Sequence, residues 1–597
     1  MFYGANVRWS DGPGSPPDSH GEFGFAKDWS RYQKAVDAWI TSNTGEIEKI
    51  IHSLAKNEKE YLDWLQNDML KMVEDAVNNQ EIIAEGLAER LAEAGLLPMY
   101  GMPSRTRVLY HTFRKKGTTY VLDTISRDLE VAISDFAPGA QKTKDKAIHT
   151  SIGFTPQLDV RGNALMVLGN DALVGKRRMT RCKNCGYNDV ESTEVLEACP
   201  YCGYPEDEDL GIRQFKIATP QAFRTDLTPG EDGKESFDMA PGMPSAFVDF
   251  KVKSGKQDIS GTNCTTKFSD YGRTWLINDN GGKLFKGTVT TTPPPPKDAR
   301  SFRIPRLQRQ WISNDNGNEE LALAAGKNTE ILFVSPTLVP LGLTLDPKHS
   351  KSGVRSAIVS AAFLLQRAIA DKLDIDPEEI EIASYFTRSV PSSNGNETDI
   401  ADIILMDSLP NGSGFVREAH KNFKEILNQT CNPKDTVSYT AILQSKDHST
   451  KCAAACPDCL KVYGNMTYHG LLDWRLAISY LKVLLDPAYK VGLDGNFTSP
   501  ELDGWLKTSQ LLRDDFCKSF GFKTQNFGQL PGFVDGASRK YLIVHPLWNT
   551  RNSSGILADA RAESGDSITG YIDTFNLLRR PGKCKSWLQQ QVIENGL

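Results

Sequence analysis

No run of apolar residues in this sequence approaches the roughly 20 that a membrane-spanning helix needs. The first residues, MFYGANVRWSDGPGSPPDSHG, lack the charged-then-apolar layout of a signal peptide. Together these absences predict a cytoplasmic protein without membrane contact. An ATP-binding loop is missing as well. Gly169, Gly175 and Lys176 come near one, but five residues separate the glycines instead of four, and Arg177 stands where magnesium needs Ser or Thr. No acidic DExx box follows an apolar strand, and no Ser/His/Asp set or internal repeat is found. The chain is therefore expected not to hydrolyse ATP and not to be an enzyme by itself. A net charge of −6 excludes a globally cationic nucleic-acid coat and leaves room for local basic patches.

What is present is enough to fold. With 597 residues, 39% hydrophobic and 24% charged, the chain exceeds one domain and is far from the composition of a disordered one. Residues 1–115 read as an aromatic arm followed by a helical region: Asn43 and Glu46 have the spacing of a capping box, and apolar residues recur at helical intervals to Ala94, predicting two or three long helices. Residues 116–310 alternate short strand-like runs such as TTYVLDT, RQFKIAT and KLFKGTV with turn clusters, predicting an antiparallel β-rich region. TTTPPPPK (290–297) reads as a polyproline spacer near a domain boundary. Residues 311–490 switch to an α/β pattern, with strands at 330–336, 379–386 and 399–407 and helices at 354–373 and 415–427. Residues 491–597 form a C-terminal extension with one clear strand, KYLIVHPLW. The expected fold class is mixed α/β.

Eight of the eleven cysteines fall into two groups. Cys182, Cys185, Cys199 and Cys202 form C-x2-C-x13-C-x2-C, each pair followed by Gly-Tyr. A tight CxxCG turn lets two thiolates reach one ion while glycine takes the left-handed backbone, so these four predict a closed, structural zinc site. Cys431, Cys452, Cys456 and Cys459 form C-x20-C-x3-C-x2-C and predict a second zinc site, with Cys431 returning from a helix end or His469 substituting for it. Cys264, Cys517 and Cys584 read as buried thiols.

Basic residues cluster at Arg105, Arg107, Arg114, Lys115 and Lys116; at Lys176, Arg177, Arg178, Arg181 and Lys183; and at Lys297, Arg300, Arg303, Arg306 and Arg309 beside Trp311. Among these, Lys176, Arg177, Arg178, Arg181, Arg303, Arg306 and Arg309 are the predicted nucleic-acid contacts, the first four because they abut the rigid zinc module. DSLPNGSGF (407–415) follows a buried strand and opens a helix, where backbone N–H groups can receive an anion and Asp407 could act in catalysis; a tight turn is the plainer reading. The aromatics Phe23, Phe25, Trp29, Tyr32 and Trp39 either dock a partner or pack on the chain's own helices.

GLLPMYGMPSRTR (95–107), RDLEVAISDFAPGA (127–140), the CxxC pairs, TPQAFRTD (219–226), NTEILFV (328–334), MDSLPNGSGF (406–415) and CAAACPDCLKVYGN…HGLLDWR (452–475) occur in order. That ordered set resembles the C-terminal region of MrfA-type superfamily 2 helicases, with their MrfA-associated zinc-binding (MZB) domain. It is also similar to DrmB, the subunit that pairs with the helicase DrmA in the DISARM anti-phage system. The resemblance covers about residues 85–480 and implies that Cys431, Cys452, Cys456 and Cys459 hold the family's zinc. It further implies a non-catalytic, DNA-binding subunit that partners a superfamily 2 helicase as a heterodimer, or alternatively the C-terminal half of a split helicase. A nuclease subunit using Asp407 and a purely structural scaffold are the competing readings. The departure lies at HGEFGFAKDW…AWITSN, which looks like a junction following a helicase core and differs from a DrmB start.

Overall fold

The computed structural model describes residues 25–594 except 55–57, 80, 81, 83, 85, 98–104, 163, 169, 170, 191–194, 208–210, 228–230, 233–243, 250–254, 291–309, 349, 350, 393 and 394. The polyproline run and Phe23 therefore lie outside the described residues. At the N-terminal end the helical periodicity is cut into five short helices, Trp29–Ser42, Thr44–Leu54, Glu58–Asn67, Met69–Asn78 and Leu87–Glu93. Their apolar stripes converge on a small core of Trp29, Val36, Ile40, Ile47, Met69, Val73, Leu87 and Leu91. Trp39 packs against that core as well, so these two arm aromatics serve the chain's own helices, while Phe25 stays half exposed.

The middle of the molecule is a sheet of 15 strands, mostly antiparallel. Its spine is the strand Glu319–Pro336, 18 residues long and mostly buried. This strand pairs with Cys264–Asn278 along most of its length, and also with Ile212–Pro220, Phe285–Thr290 and Glu397–Asp407. The sheet is thus continuous across residue 310, where the spacer suggested a boundary between regions. The α/β grammar beyond it is real, but its strands Ile380–Pro391 and Glu397–Asp407 join antiparallel.

Helix Ser352–Leu373 packs against Trp474–Leu485 and Phe423–Cys431 over the largest core, with Leu364, Leu365, Ile369, Trp474, Tyr480 and Leu481 all fully buried. It is the one described helix long and apolar enough to cross a membrane, and most of it is buried inside the protein. The expected helix at 415–427 is two, Phe415–Lys421 and Phe423–Cys431. The C-terminal region adds a four-stranded sheet in which Lys540–Val544 and Ile568–Asp573 run parallel. Arg579 anchors this region to the α/β layer by donating to Leu472 O at 3.1 Å, and Arg580 does so through Ser352.

Candidate metal centres

The first cysteine group is built by two copies of one turn. Cys182 ends the strand Leu173–Cys182, Gly186 N donates to Cys182 O at 2.9 Å, and Gly186 takes φ of 78°. Gly203 N likewise donates to Cys199 O at 2.9 Å, with φ of 69°. The turns face each other, so that Cys182 and Cys202 sulfurs lie 3.7 Å apart and Cys185 and Cys199 sulfurs 3.7 Å apart. Zinc–sulfur bonds of about 2.3 Å pointing to tetrahedral corners place sulfurs about 3.8 Å apart. Asn184 supports the set by donating to Cys202 Sγ at 3.5 Å. Mutual hydrogen bonding splits the thiols, holding Cys182 well below the usual thiol range and pushing Cys185 and Cys199 above it. Such a crowded set ionises fully only around a cation.

The second centre gathers His448, Cys452, Cys456 and Cys459, whose ligand atoms all lie within 4.8 Å of one another. Cys452 and Cys459 sulfurs are 3.9 Å apart, Cys456 and Cys459 sulfurs 3.6 Å, and His448 Nε2 is 3.6 Å from Cys456 Sγ. A tetrahedral zinc with about 2.0–2.1 Å to nitrogen expects roughly 3.6 Å between a nitrogen and a sulfur ligand. His448 Nδ1 lies 2.7 Å from Leu443 O, which orients the ring and leaves Nε2 as the ligand atom. Cys456 N donates to Cys459 Sγ at 3.0 Å, completing the knuckle. The chain thus has two four-ligand Cys/His sites compatible with zinc, each closed and structural in type.

Cys431 is not among the gathered ligands. It ends the helix Phe423–Cys431 with its thiol turned into the core among Cys264, Lys482 and Glu501, and burial drives its pKa up. That helix is amphipathic and buries Phe423, Ile426, Leu427, Thr430 and Cys431 on one face, which commits Cys431 to packing. His469 is also elsewhere: its Nε2 lies 3.0 Å from Asn465 Oδ1 and 3.1 Å from Val462 O. His448 carried a readable signal, since H-x3-C places both ligands on one side of a helical turn.

The first centre rests on one strand, Ile380–Pro391. Thr387 N donates to Cys185 O at 3.1 Å, Tyr201 packs on Phe386 at 5.3 Å between ring centroids, and Gly186 presses against the Tyr385 backbone. Tyr468, which follows the second centre, packs instead on Phe363 of the helix Ser352–Leu373.

The basic clusters are divided between the interior and the surface, with Arg114, Lys115, Lys116, Lys176 and Lys183 exposed. Arg107 is fully buried and donates to Pro220 O, and Arg105 lies between Glu93 and Glu130. Lys176 pairs with Glu319 at 3.7 Å. Arg177 stacks over Trp275, and Arg181 stacks over Phe247 beside Asp279, with desolvation lowering its pKa. Arg178 lies on the opposite face of the strand, across from Lys216. Arg303, Arg306 and Arg309 lie outside the described residues. Asp407 is fully buried, and its carboxylate accepts from Ser413 N, Gly414 N and Val416 N at 2.6, 2.7 and 3.0 Å. The turn's N–H groups are thereby satisfied by the chain's own carboxylate, which is the tight-turn outcome. In the same turn Asn411 donates to Ala92 O at 2.9 Å and ties the N-terminal helices to the sheet, a role the sequence did not disclose.

Residues 361–460 match the model of the MZB family, the MrfA Zn-binding domain, a span that contains the whole second centre. The chain is similar to Druantia protein DruE of Escherichia coli (strain UMEA 4076-1), 23% identical over 574 residues. That similarity covers 87% of this chain and 28% of DruE, so the chain spans little more than a quarter of that relative's length. Crystal structures of the DUF1998 helicase MrfA, one bound to DNA and one to DNA and AMPPNP, are each 10% identical, with TM-scores of 0.27 and 0.20. They cover 66% and 63% of this chain and 35% and 31% of theirs.

Proposed function

We propose that this chain is the zinc-bearing, motor-free region of a helicase-related anti-phage defence assembly, contacting DNA in the cytoplasm while a superfamily 2 helicase hydrolyses ATP. The observation that carries this reading is the coincidence of the MZB match with a geometrically complete His448, Cys452, Cys456, Cys459 centre. The defence setting draws on the likeness to DrmB and to Druantia protein DruE. Zinc would supply structure here: four ligands close each shell and leave no position for a reactive water. The non-enzymatic part of the proposal draws support from the near-miss at Gly169 and Gly175 and from the engagement of Asp407 in its own turn.

The match to only 28% of DruE's length favours a second form of the same reading, in which this chain is the C-terminal half of a split helicase. The test is co-expression with any superfamily 2 helicase encoded beside this chain. The expected result is a stable complex in which the chain raises the motor's DNA affinity and shows no ATPase activity alone. ATP hydrolysis by the purified chain, or no association with any helicase, would overturn the reading.

A further inference from the structure

A cavity of about 260 Å³, open at one side, lies between the N-terminal helices and the sheet. Met72, Ile82 and Leu96 wall it on the N-terminal side, and Tyr271, Arg273 and Lys327 on the sheet side. It is just below the roughly 300–1,000 Å³ of sites for drug-sized ligands, so it suits one small ring system and no folded partner. Glu93, the last residue of the helix Leu87–Glu93, also lines it, with a side chain only 7% exposed. Its Oε2 is buried without any hydrogen-bond partner, and its Oε1 lies 3.9 Å from Arg105 Nε, beyond hydrogen-bonding distance. Burial pushes the Glu93 pKa up against the pull of Arg107 and Arg105. A buried carboxylate without N–H donors is costly, and a ligand that supplies them removes the cost.

The neighbouring cations are committed elsewhere. Arg105 pairs with Glu130 at 3.1 Å, Lys327 pairs with Glu381 at 2.8 Å, and Arg107 donates to Pro220 O and Thr106 O. Arg105, Arg107, Arg273 and Lys327 balance Asp75, Glu93, Glu130 and Glu381 in charge, so the surroundings favour neither a cation nor an anion. A neutral N–H donor is the ligand that fits. Two carboxylate oxygens accept best from two adjacent N–H groups, and guanine presents such a pair at N1 and N2. The mouth supplies a flat wall for a ring: the Tyr271 hydroxyl accepts from Asn328 Nδ2 at 2.6 Å, and its ring edge lies where a Cβ at Gly95 would come within 3.5 Å.

We propose that this cavity binds a guanine-type base, with the Glu93 carboxylate accepting from its N1–H and N2–H groups and Tyr271 flanking the ring at the mouth. The base belongs either to a free nucleoside or to an unpaired residue of DNA, and the test separates the two. Saturation-transfer NMR titrations use the full, zinc-loaded chain with guanosine, inosine and thymidine, for wild type, Glu93→Gln and Tyr271→Ala. Wild type should bind guanosine at least about 10-fold more tightly than thymidine, with inosine, which lacks the N2 amine, in between. Glu93→Gln should weaken guanosine binding about 10- to 150-fold and erase its preference over inosine, with zinc content and Tm near wild type. Tyr271→Ala, at a half-exposed position, should weaken binding several-fold and keep the preference; if Glu93→Gln fails to fold, this variant and the wild-type preference decide. A parallel titration compares oligo-dT carrying one guanine with oligo-dT alone. Tighter binding of the guanine-bearing strand than of guanosine supports the site with DNA as the source, and guanosine binding without that gain supports it with a free nucleoside. Equal affinity for guanosine and thymidine, unchanged guanosine affinity in a folded Glu93→Gln, or no binding of guanosine and no preference for the guanine-bearing strand would overturn the proposal. None of these measurements involves a helicase, so failure here and failure of the proposed function are read separately.

Discussion

His448 and Cys452 stand one helical turn apart, which lets a six-residue helix deliver a nitrogen and a sulfur to one point. Cys431 is chemically as good a ligand and is excluded only because its helix face is needed for the core. Replacing His448→Ala should therefore lower zinc from about two ions per chain to about one, whereas Cys431→Ser should keep both; elemental analysis separates the two outcomes. The cysteine spacings were legible in sequence, and the competition between packing and ligation at Cys431 was not, because it depends on which face meets Lys482 and Glu501. A second residue bears on pH. His545 is fully buried beside Trp505 and Trp548, its Nδ1 accepts from Leu547 N at 3.2 Å, and desolvation pushes its pKa down to about 3. A folded-state pKa below the unfolded value of about 6.5 means no penalty above that pH and a growing loss of stability as pH falls through it toward 3. The stability advantage of wild type over His545→Asn, which keeps an acceptor and cannot charge, should shrink between pH 7 and 5; thermal denaturation in zinc-containing buffer reads it.

The two zinc turns are alike as elements and differ in surroundings. A Cβ at Gly186 would lie 2.7 Å from Tyr385 O, while one at Gly203 would meet nothing within 4 Å. Both glycines have positive φ, so alanine strains each by about 1–2 kcal/mol, but only Gly186→Ala also pries the knuckle off the strand Ile380–Pro391. Gly203→Ala should lower Tm modestly. Gly186→Ala should lower it further and raise hydrogen exchange at Thr387; equal effects from the two would mean that the contact contributes nothing. Sequence signalled both glycines through CxxCG and said nothing of Tyr385, which arrives from about 200 residues away. The helix Ser352–Leu373 was legible almost to its ends because its apolar residues recur over five turns. The N-terminal helices were legible in kind and not in number, since Asn43 and Asp68 each interrupt a pattern that periodicity alone carries through.

At the scale of the whole molecule, the strand Glu319–Pro336 takes ladder partners from both sides of residue 310, so the halves 1–310 and 311–597 share one sheet. Expressed separately, each half should be insoluble, and co-expression should restore soluble, zinc-loaded protein; two soluble halves that each retain zinc would contradict the continuous sheet. The composition shift near 310 was a true change of grammar, but side-chain pattern does not say which strands pair across it. One feature of this architecture reaches beyond stability. The strand Ile380–Pro391 has a single ladder neighbour among the described residues, Glu397–Asp407, and on its other flank the first metal knuckle sits as a shutter. Stripping the ion from Cys182, Cys185, Cys199 and Cys202 would free Thr387 N from Cys185 O at the rim of a large sheet, opening a place for another copy of the chain to join. Chelator-treated protein should accordingly self-assemble in a concentration-dependent way at temperatures where it is still folded, so that metal at this knuckle guards solubility before it guards shape.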